Sequence, residues 1–295
     1  KDEILTFEEI TRLARLFVKF GVDKIRITGG EPLLRHELET LVEQISRIDG
    51  ISVVTLTTNG VLLPKMASSL KEAGLGRITV SLDSPDDEVF KELNGIGSSV
   101  EMVLDGIRAA EAAGFEQIKI NAVVQKGVND HTLVDFAARF RGTGHIVRFI
   151  EFMDVGTLNG WEMGQVVSAE EIVKRIGEVF PLEPIAPNYR GEVANRYRYL
   201  DGEGEIGIIA SVTKPFCGDC TRARLSTDGK LYTCLFANSG TDLRKPIRAG
   251  AGDADVIDLI DEVWRRREDR YSELRSIETT EASNIPKVEM YQIGG

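Results

Sequence analysis

An α/β fold built on a parallel sheet is what this 295-residue sequence predicts. Three observations lead there: short β-branched runs recur along the first half, amphipathic stretches of roughly 10 to 16 residues separate them, and the connecting loops are short. Such a sheet closes or partly closes as a barrel, or is doubly wound, and either arrangement puts function at the C-terminal ends of the strands. At 42% hydrophobic residues the chain can build a sizeable core, as one large or two modest domains. Lys and Arg number 36 against 47 Asp and Glu, a net charge of −11, which disfavours non-specific binding to nucleic acid or an anionic membrane. No run of 18 apolar residues occurs and the opening KDEILTFEEI has no signal-peptide pattern, so the expectation is a cytoplasmic protein.

The elements follow in order. Thr6 and Glu9 form a capping box before an apolar stripe of Ile10, Leu13, Leu16, Phe17 and Phe20, and Gly21 ends that helix. A strand at 24–28 (KIRIT) stops at Gly29, Gly30 and Pro32, and a second helix carries Leu38, Leu41, Val42, Ile45 and Ile48. Strands are expected at 52–57, 77–82, 117–124 and 146–152, and a helix from Val100 to Ala113, preceded by Ser98 with Glu101 three positions on. After about Ser168 the rhythm breaks. Ser168 and Glu171 open one more helix, Pro181, Pro184 and Pro187 crowd a loop, and RYRYL, EIGIIA, ARLST and LYTCLF read as antiparallel strands joined by glycine turns. The expected division is therefore residues 1–167 and a smaller region, 168–295. The Arg-rich RRREDR near 265 reads as a solvated helix end.

Three cysteines, Cys217, Cys220 and Cys234, cluster in the second region, too few and too odd in number for a secreted disulfide scaffold. Cys217-Gly-Asp-Cys220 puts two sulfurs on one tight turn, and Cys234 sits on a strand that a hairpin would fold back toward it. A four-iron cluster with one open iron, a zinc site with a remote fourth ligand, and a redox C-x-x-C remain as alternatives. Thr28-Gly29-Gly30-Glu31-Pro32 ends the first strand. Its glycines let backbone approach a ligand and Glu31 can accept from an ammonium group, although an ordinary strand-to-helix turn has the same composition. Parallel strands end on one face, so Arg26, Thr57, Ser81, Lys119, Arg148 and Met153 can converge on one cavity. Charges within otherwise apolar strands need a buried acid or an anionic ligand. Arg222 and Arg224, alternate residues of an expected strand, share a face and can fork around phosphate or carboxylate oxygens, or lie exposed on an edge.

Taken together, KIRITGGEPLLR, LTTNG, Ser81-Leu82-Asp83, RFIEFMDVG, FCGDCTRARLS with YTCLF, and the closing YQIGG resemble the radical S-adenosylmethionine (SAM) GTP 3′,8-cyclases of molybdenum cofactor biosynthesis. The resemblance implies a partial (β/α) TIM-type barrel with a smaller C-terminal iron–sulfur region. It implies a [4Fe-4S] cluster on Cys217, Cys220 and Cys234 whose open iron faces the purine of GTP. Gly30, Ser81 and Met153 match SAM contacts, with Gly29 and Glu31 near its amino group. Arg26, Thr57, Lys119, Arg222 and Arg224 match the GTP site, and Arg148 a basic residue of the same cavity. The implied reaction cleaves SAM reductively, takes hydrogen from ribose C3′ with the 5′-deoxyadenosyl radical, and joins C3′ to guanine C8. An electron donor is implied, and a homodimer is compatible. Gly294-Gly295 resembles a glycine tail that reaches the active site. The family also uses an N-terminal C-x-x-x-C-x-x-C cluster, and no cysteine precedes Cys217. The expectation is that these residues alone cannot start the reaction, and the alternative is a truncated or degenerate homologue that binds only a cluster and a nucleotide.

Overall fold

The structure, a computed structural model, describes residues 3–95, 97–156, 159–278 and 287–294. Helix α1 (Phe7–Val18) opens with the expected capping box: the Thr6 hydroxyl accepts from Glu9 N, and the Glu9 carboxylate accepts from Thr6 N. There follow β1 (Lys24–Ile27), α2 (Leu38–Ser46), β2 (Val53–Thr58), α3 (Leu63–Glu72), β3 (Leu75–Ser81), α4 (Asp87–Asn94), α5 (Val100–Ala112), β4 (Lys119–Val124), α6 (Leu133–Phe140) and β5 (Ile146–Glu151). These five strands pair in sequence order and in parallel, as the alternating pattern predicts. The cap of α5 is Ser99 rather than Ser98: the Ser99 hydroxyl accepts from Met102 N, while Ser98 is buried.

Beyond β5 come α7 (Ala169–Gly177), β6 (Leu182–Ile185), β7 (Asn195–Tyr199) and β8 (Glu205–Ile209). Strand β8 lies parallel to β5 and antiparallel to β7, which pairs antiparallel with β6. The sheet order is thus β1-β2-β3-β4-β5-β8-β7-β6, an open sheet with β1 and β6 as its edges. The expected antiparallel strands exist, but Pro184 lies inside β6 rather than in a loop. An edge strand tolerates a residue with no N–H to give to a neighbour. A small antiparallel sheet holds β9 (Arg224–Leu225), β10 (Lys230–Tyr232) and β11 (Thr241–Asp242). Cys234 falls in the loop after β10, not on a strand. Helices α8 (Arg244–Arg248), α9 (Asp253–Arg265), α10 (Tyr271–Glu278) and α11 (Met290–Ile293) complete the described chain.

The helices pack on one face of the large sheet. Val54, Leu56, Ile78, Val80, Ile120, Ala122, Val147 and Phe149 meet Leu41, Leu70, Val103 and Phe136 there, the main source of burial energy. Alternation follows: Ile120, Ala122 and Val124 of β4 are buried, and Lys119, Asn121 and Val123 on the opposite, concave face are half-buried. A second core joins Leu5, Leu13 and Leu16 to Leu231, Leu243, Ile247, Val256 and Ile260. Arg12 fastens it by donating to the Ala251 carbonyl at 2.7 Å and to Asp253 at 2.8 Å. The small sheet is thereby held beside α1, near the β1 edge of the large one.

Candidate functional site

Register decides which side chains share the concave face. Arg26 pairs with Thr55, and Thr55 with Arg77; Thr57 with Thr79, and Thr79 with Lys119; Ser81 with Asn121, and Asn121 with Arg148. Partners across a parallel ladder point the same way, so Arg26, Thr57, Ser81, Lys119 and Arg148 all face one concavity. Gly207 of β8 stands opposite Arg148, and a Cβ there would crowd Arg148 Cγ at 3.1 Å. The glycine gives the arginine room to lie across the sheet, where its Nε donates to Asn121 Oδ1 at 2.9 Å. The Thr57 hydroxyl is buried and has no hydrogen-bond partner among the described residues.

The cations feel one another. Burial, with Arg26 as a like-charged neighbour, pulls Arg148 down to about 10, while Tyr189 and Glu192 oppose the shift. Burial, then Arg148, brings Lys119 down to about 8, with Arg77 and Arg26 adding to the fall and Glu192 opposing it. Arg26 is lowered by burial and by Arg222, against Tyr189. Water reaches Arg26, yet protein atoms close around it, so it is exposed to the cavity rather than to bulk solvent. Burial and Arg222 bring Arg224 to about 10, with Cys220 and Cys234 opposing and Arg26 adding to the fall. The arginines stay charged at neutral pH, so each depression measures how much an incoming anion would relieve.

Arg222 and Arg224 diverge where the alternation rule predicts a shared face, because β9 begins only at Arg224. Exposed Arg222 lies over the Phe216 ring, 5.1 Å from its centroid, and donates to Cys220 Sγ from Nε at 3.3 Å and Nη2 at 3.2 Å. Arg224 turns inward and its Nε donates to the Gly294 carbonyl at 3.0 Å. The three thiols are free and half-buried. Burial alone would raise the Cys220 thiol, but Arg222 and hydrogen bonds from Arg222 and Arg267 bring it down to about 7. Burial, with the Asp269 carboxylate nearby, raises Cys234 against a hydrogen bond from Phe236 N and the charge of Arg224. Among the described residues no three His, Cys, Asp or Glu side chains stand close enough to clasp one metal ion.

The glycine motif is open on its ligand side. Gly29 has φ +137°, and a Cβ at Gly29 or Gly30 would meet nothing within 4 Å, so a ligand can lie against the backbone. Glu31 is already engaged: its carboxylate accepts from the Thr58 hydroxyl at 2.7 Å, Asn59 N at 2.8 Å and Leu33 N at 2.9 Å, tying the first turn to the end of β2. Met153, half-buried past β5, has its carbonyl held by the Asn159 amide at 2.9 Å. Gly294 reaches the same place, since a Cβ on it would run into Thr28 Cγ2 and lie 3.6 Å from Gly29 N. Gly295 lies outside the described residues.

Several site residues escape a reading of strand ends. The loop between β6 and β7 leans over the cations, with Lys24 Nζ 4.3 Å from the Tyr189 ring centroid and Glu192 near Lys119 and Arg148. Arg267, expected in a solvated helix end, instead packs at the cysteine turn and donates to the Cys220 carbonyl at 2.5 Å; Arg265 and Arg266 are the solvated ones. Asn121 had a visible signal, an amide at a strand end two residues from Lys119, whereas Arg267 and Glu192 had none.

Comparison with known proteins follows this geometry. The Radical SAM superfamily model matches residues 1–140, and the Molybdenum Cofactor Synthesis C model residues 145–273. Proteins named GTP 3′,8-cyclase are similar over the whole chain: one from Acidothermus cellulolyticus is 49% identical over 317 residues, covering 88% of that relative. Others are from Xanthomonas campestris pv. campestris, 49% identical with 85% of the relative covered, and Staphylococcus epidermidis, 48% identical with 87% covered. The solved structure of native anSMEcpe with bound AdoMet shares the fold, with a TM-score of 0.53 and 16% identity over 77% of this chain and 65% of that one. No described helix is long and apolar enough to cross a membrane.

Proposed function

The chain belongs to the GTP 3′,8-cyclase family of radical SAM enzymes, and from that premise we propose how its residues divide the work of converting GTP to 3′,8-cyclo-7,8-dihydro-GTP, the first step of molybdenum cofactor biosynthesis. Arg26, Thr57, Lys119, Arg148 and Arg224 receive GTP in the concavity, the cations taking the triphosphate, with Arg222 at the boundary between cavity and thiols. The observation that carries this reading is the convergence itself: Arg224 is influenced by Arg222, Cys220 and Cys234 of its own region and also by Arg26 of β1, which is remote in sequence. Charge-assisted hydrogen bonds contribute about 1.5 to 3 kcal/mol each and micromolar affinity needs about 8, so a few of these cations suffice.

Cys217, Cys220 and Cys234 hold a [4Fe-4S] cluster. The donor set fits: thiolate is the ligand form, and Arg222 favours it at Cys220. In a cluster each cysteine takes a different iron, so sulfurs that do not close on a single ion are no obstacle. Gly29, Gly30, Glu31, Ser81 and Met153 form the SAM site, with backbone of the glycine turn offered to the ligand and Glu31 holding that turn to β2. When bound, SAM and a cluster on the family's N-terminal C-x-x-x-C-x-x-C motif would supply the 5′-deoxyadenosyl radical that takes hydrogen from ribose C3′ before C3′ bonds to guanine C8, while the cluster on Cys217, Cys220 and Cys234 would anchor the purine. The chain's own part is to fix the ribose and keep water from the radical. The open sheet is screened there by the β6–β7 loop and by the C-terminal segment. An external electron donor is required, and a homodimer is compatible with this reading. Residues 1–167 carry SAM chemistry and 168–295 the cluster, the nucleotide site drawing on both.

Anaerobic reconstitution followed by iron and sulfide analysis tests the cluster: about four irons per chain are expected, lost on replacing any of Cys217, Cys220 or Cys234 by Ser, whereas one zinc would overturn it. A version extended to supply the C-x-x-x-C-x-x-C motif, which does not occur within these residues, should form 5′-deoxyadenosine and the cyclic purine. Formation of neither would reject the assigned reaction.

A further inference from the structure

We propose that Lys287 and Asp154 form a latch, a buried ion pair whose task is to hold the C-terminal segment across the site so that the Gly294 carbonyl aims Arg224. Lys287 Nζ donates to Asp154 Oδ2 at 2.8 Å and to the Asp154 carbonyl at 3.1 Å, and both side chains are nearly buried, at 13% and 10% exposure. The Tyr271 hydroxyl bonds to both partners, and its ring stands 4.4 Å from the ammonium. Phe236 stacks on Tyr271 with ring centroids 4.6 Å apart, and Phe236 N donates to Cys234 Sγ at 3.4 Å. Asp154 itself follows Met153. One ion pair therefore meets the cysteine loop, the end of β5, α10 and the last described segment.

Besides the latch, that segment is held by the buried side chain of Ile293 and by contacts at Val288 and Glu289. α11 is four residues long, too short to be stable by propensity. Upstream of it, Val288 N donates to the Ala237 carbonyl at 3.2 Å, and Glu289 lies against Gly156, where a Cβ would collide with its carboxylate. At the far end stands Gly294, buried, its carbonyl accepting from Arg224 Nε at 3.0 Å and its Cα against Thr28. A desolvated guanidinium is held by few acceptors, so losing this carbonyl frees Arg224 to reorient. A buried ion pair adds little net stability but is expensive to break by removing one partner, which makes it a device for selecting one arrangement. Lys287 and Asp154 are thus positioning residues that act through the segment on Arg224.

The inference rests on Arg224 receiving the nucleotide, and its test separates the two. Lys287→Met and Asp154→Asn are compared with the parent chain by amide hydrogen exchange over residues 288–294 and by equilibrium dialysis of GTP without SAM. Exchange should rise at least tenfold, and GTP affinity should fall roughly tenfold, the loss of one charge-assisted hydrogen bond. In a chain lacking residues 294–295, adding Lys287→Met should cost no further affinity, and Lys287→Arg should restore most of the affinity in the parent. Tyr271→Phe removes one hydroxyl and no charge, and gives the same signature at smaller size should Asp154→Asn not fold. Unchanged exchange, or an equal loss of affinity with and without residues 294–295, overturns the latch. Faster exchange in variants of a protein that binds no GTP in any form supports the latch and overturns the nucleotide reading.

Discussion

Lys119 gives the sharpest test of the cavity because its charge is lost in an accessible range. Burial, then Arg148, brings its ammonium to about 8, against 10.5 for an ordinary lysine. At pH 7 about nine-tenths of the empty protein carries this charge and at pH 9 about one-tenth, so affinity for a ligand that needs it falls about tenfold across that window. The ligand's phosphates change little in charge there, since the last phosphate ionisation lies near 6. Arg148, at about 10, stays largely protonated throughout. The sign for folding runs the other way. Between about 8 and 10.5 the unfolded chain keeps a proton that the folded chain has released, so this group makes the folded state more stable as pH rises. Equilibrium dialysis of GTP at pH 7, 8 and 9 and constant ionic strength is the assay, with Lys119→Met in parallel to remove any contribution from Cys220, which titrates near 7. The variant should bind more weakly at pH 7, by about tenfold or more, and lose the Lys119 component of the slope. Equal pH slopes in the two proteins would refute the assignment of Lys119 to the phosphates.

Glu151, fully buried, accepts from Ala169 N at 2.7 Å, from Val212 N and Thr213 N at 2.8 Å each, and from the Thr213 hydroxyl at 2.5 Å; Glu151→Leu strands three backbone donors and should cost at least about 3 kcal/mol in urea unfolding. Gly106→Ala should also destabilise, although alanine favours a helix by about 1 kcal/mol, because its Cβ would overlap the Gly60 carbonyl oxygen, backbone that cannot rotate away. A higher unfolding midpoint for that variant would show that α5 does not pack on the β2 end as described.

What the sequence made legible is what local physics decides. Period-two and period-3.6 patterns located β1 to β5 and α5 to within two residues, since each element buries one face against the same core. The concave cations were legible for the same reason, as charges at positions where an apolar strand should continue. Other features depend on partners remote in the chain and leave no local mark. Pro184 reads as a loop residue until β6 proves to be an edge. Cys234 reads as a strand residue until β10 ends at Tyr232. Arg267 sits in a run of exposed arginines and differs from Arg265 and Arg266 only in what α10 and the cysteine turn bring beside it. Glu151 stands at the end of β5 with nothing local to mark it, and its donors come from α7 and the 212–213 turn.

An acidic chain that concentrates buried cations also sets the direction in which a nucleotide can enter. Fields from surface carboxylates die away within about 8 Å at physiological ionic strength, so the net charge of −11 says little about the concavity. There burial, with Arg26 adding to it, lowers Lys119, Arg148 and Arg224, Arg148 lowers Lys119 as well, and Glu192 offsets only part of the fall at Lys119 and Arg148. An anion placed among them relieves mutual repulsion and replaces lost hydration, a gain that a neutral ring cannot match. The thiols, Phe216 and the Cys220 turn make the other end, and Arg222 marks the border by touching Cys220 while repelling Arg26. On the reading proposed above, a nucleoside triphosphate would lie with its phosphates inward among the cations of the sheet and its base outward toward the cysteines, with the ribose between them.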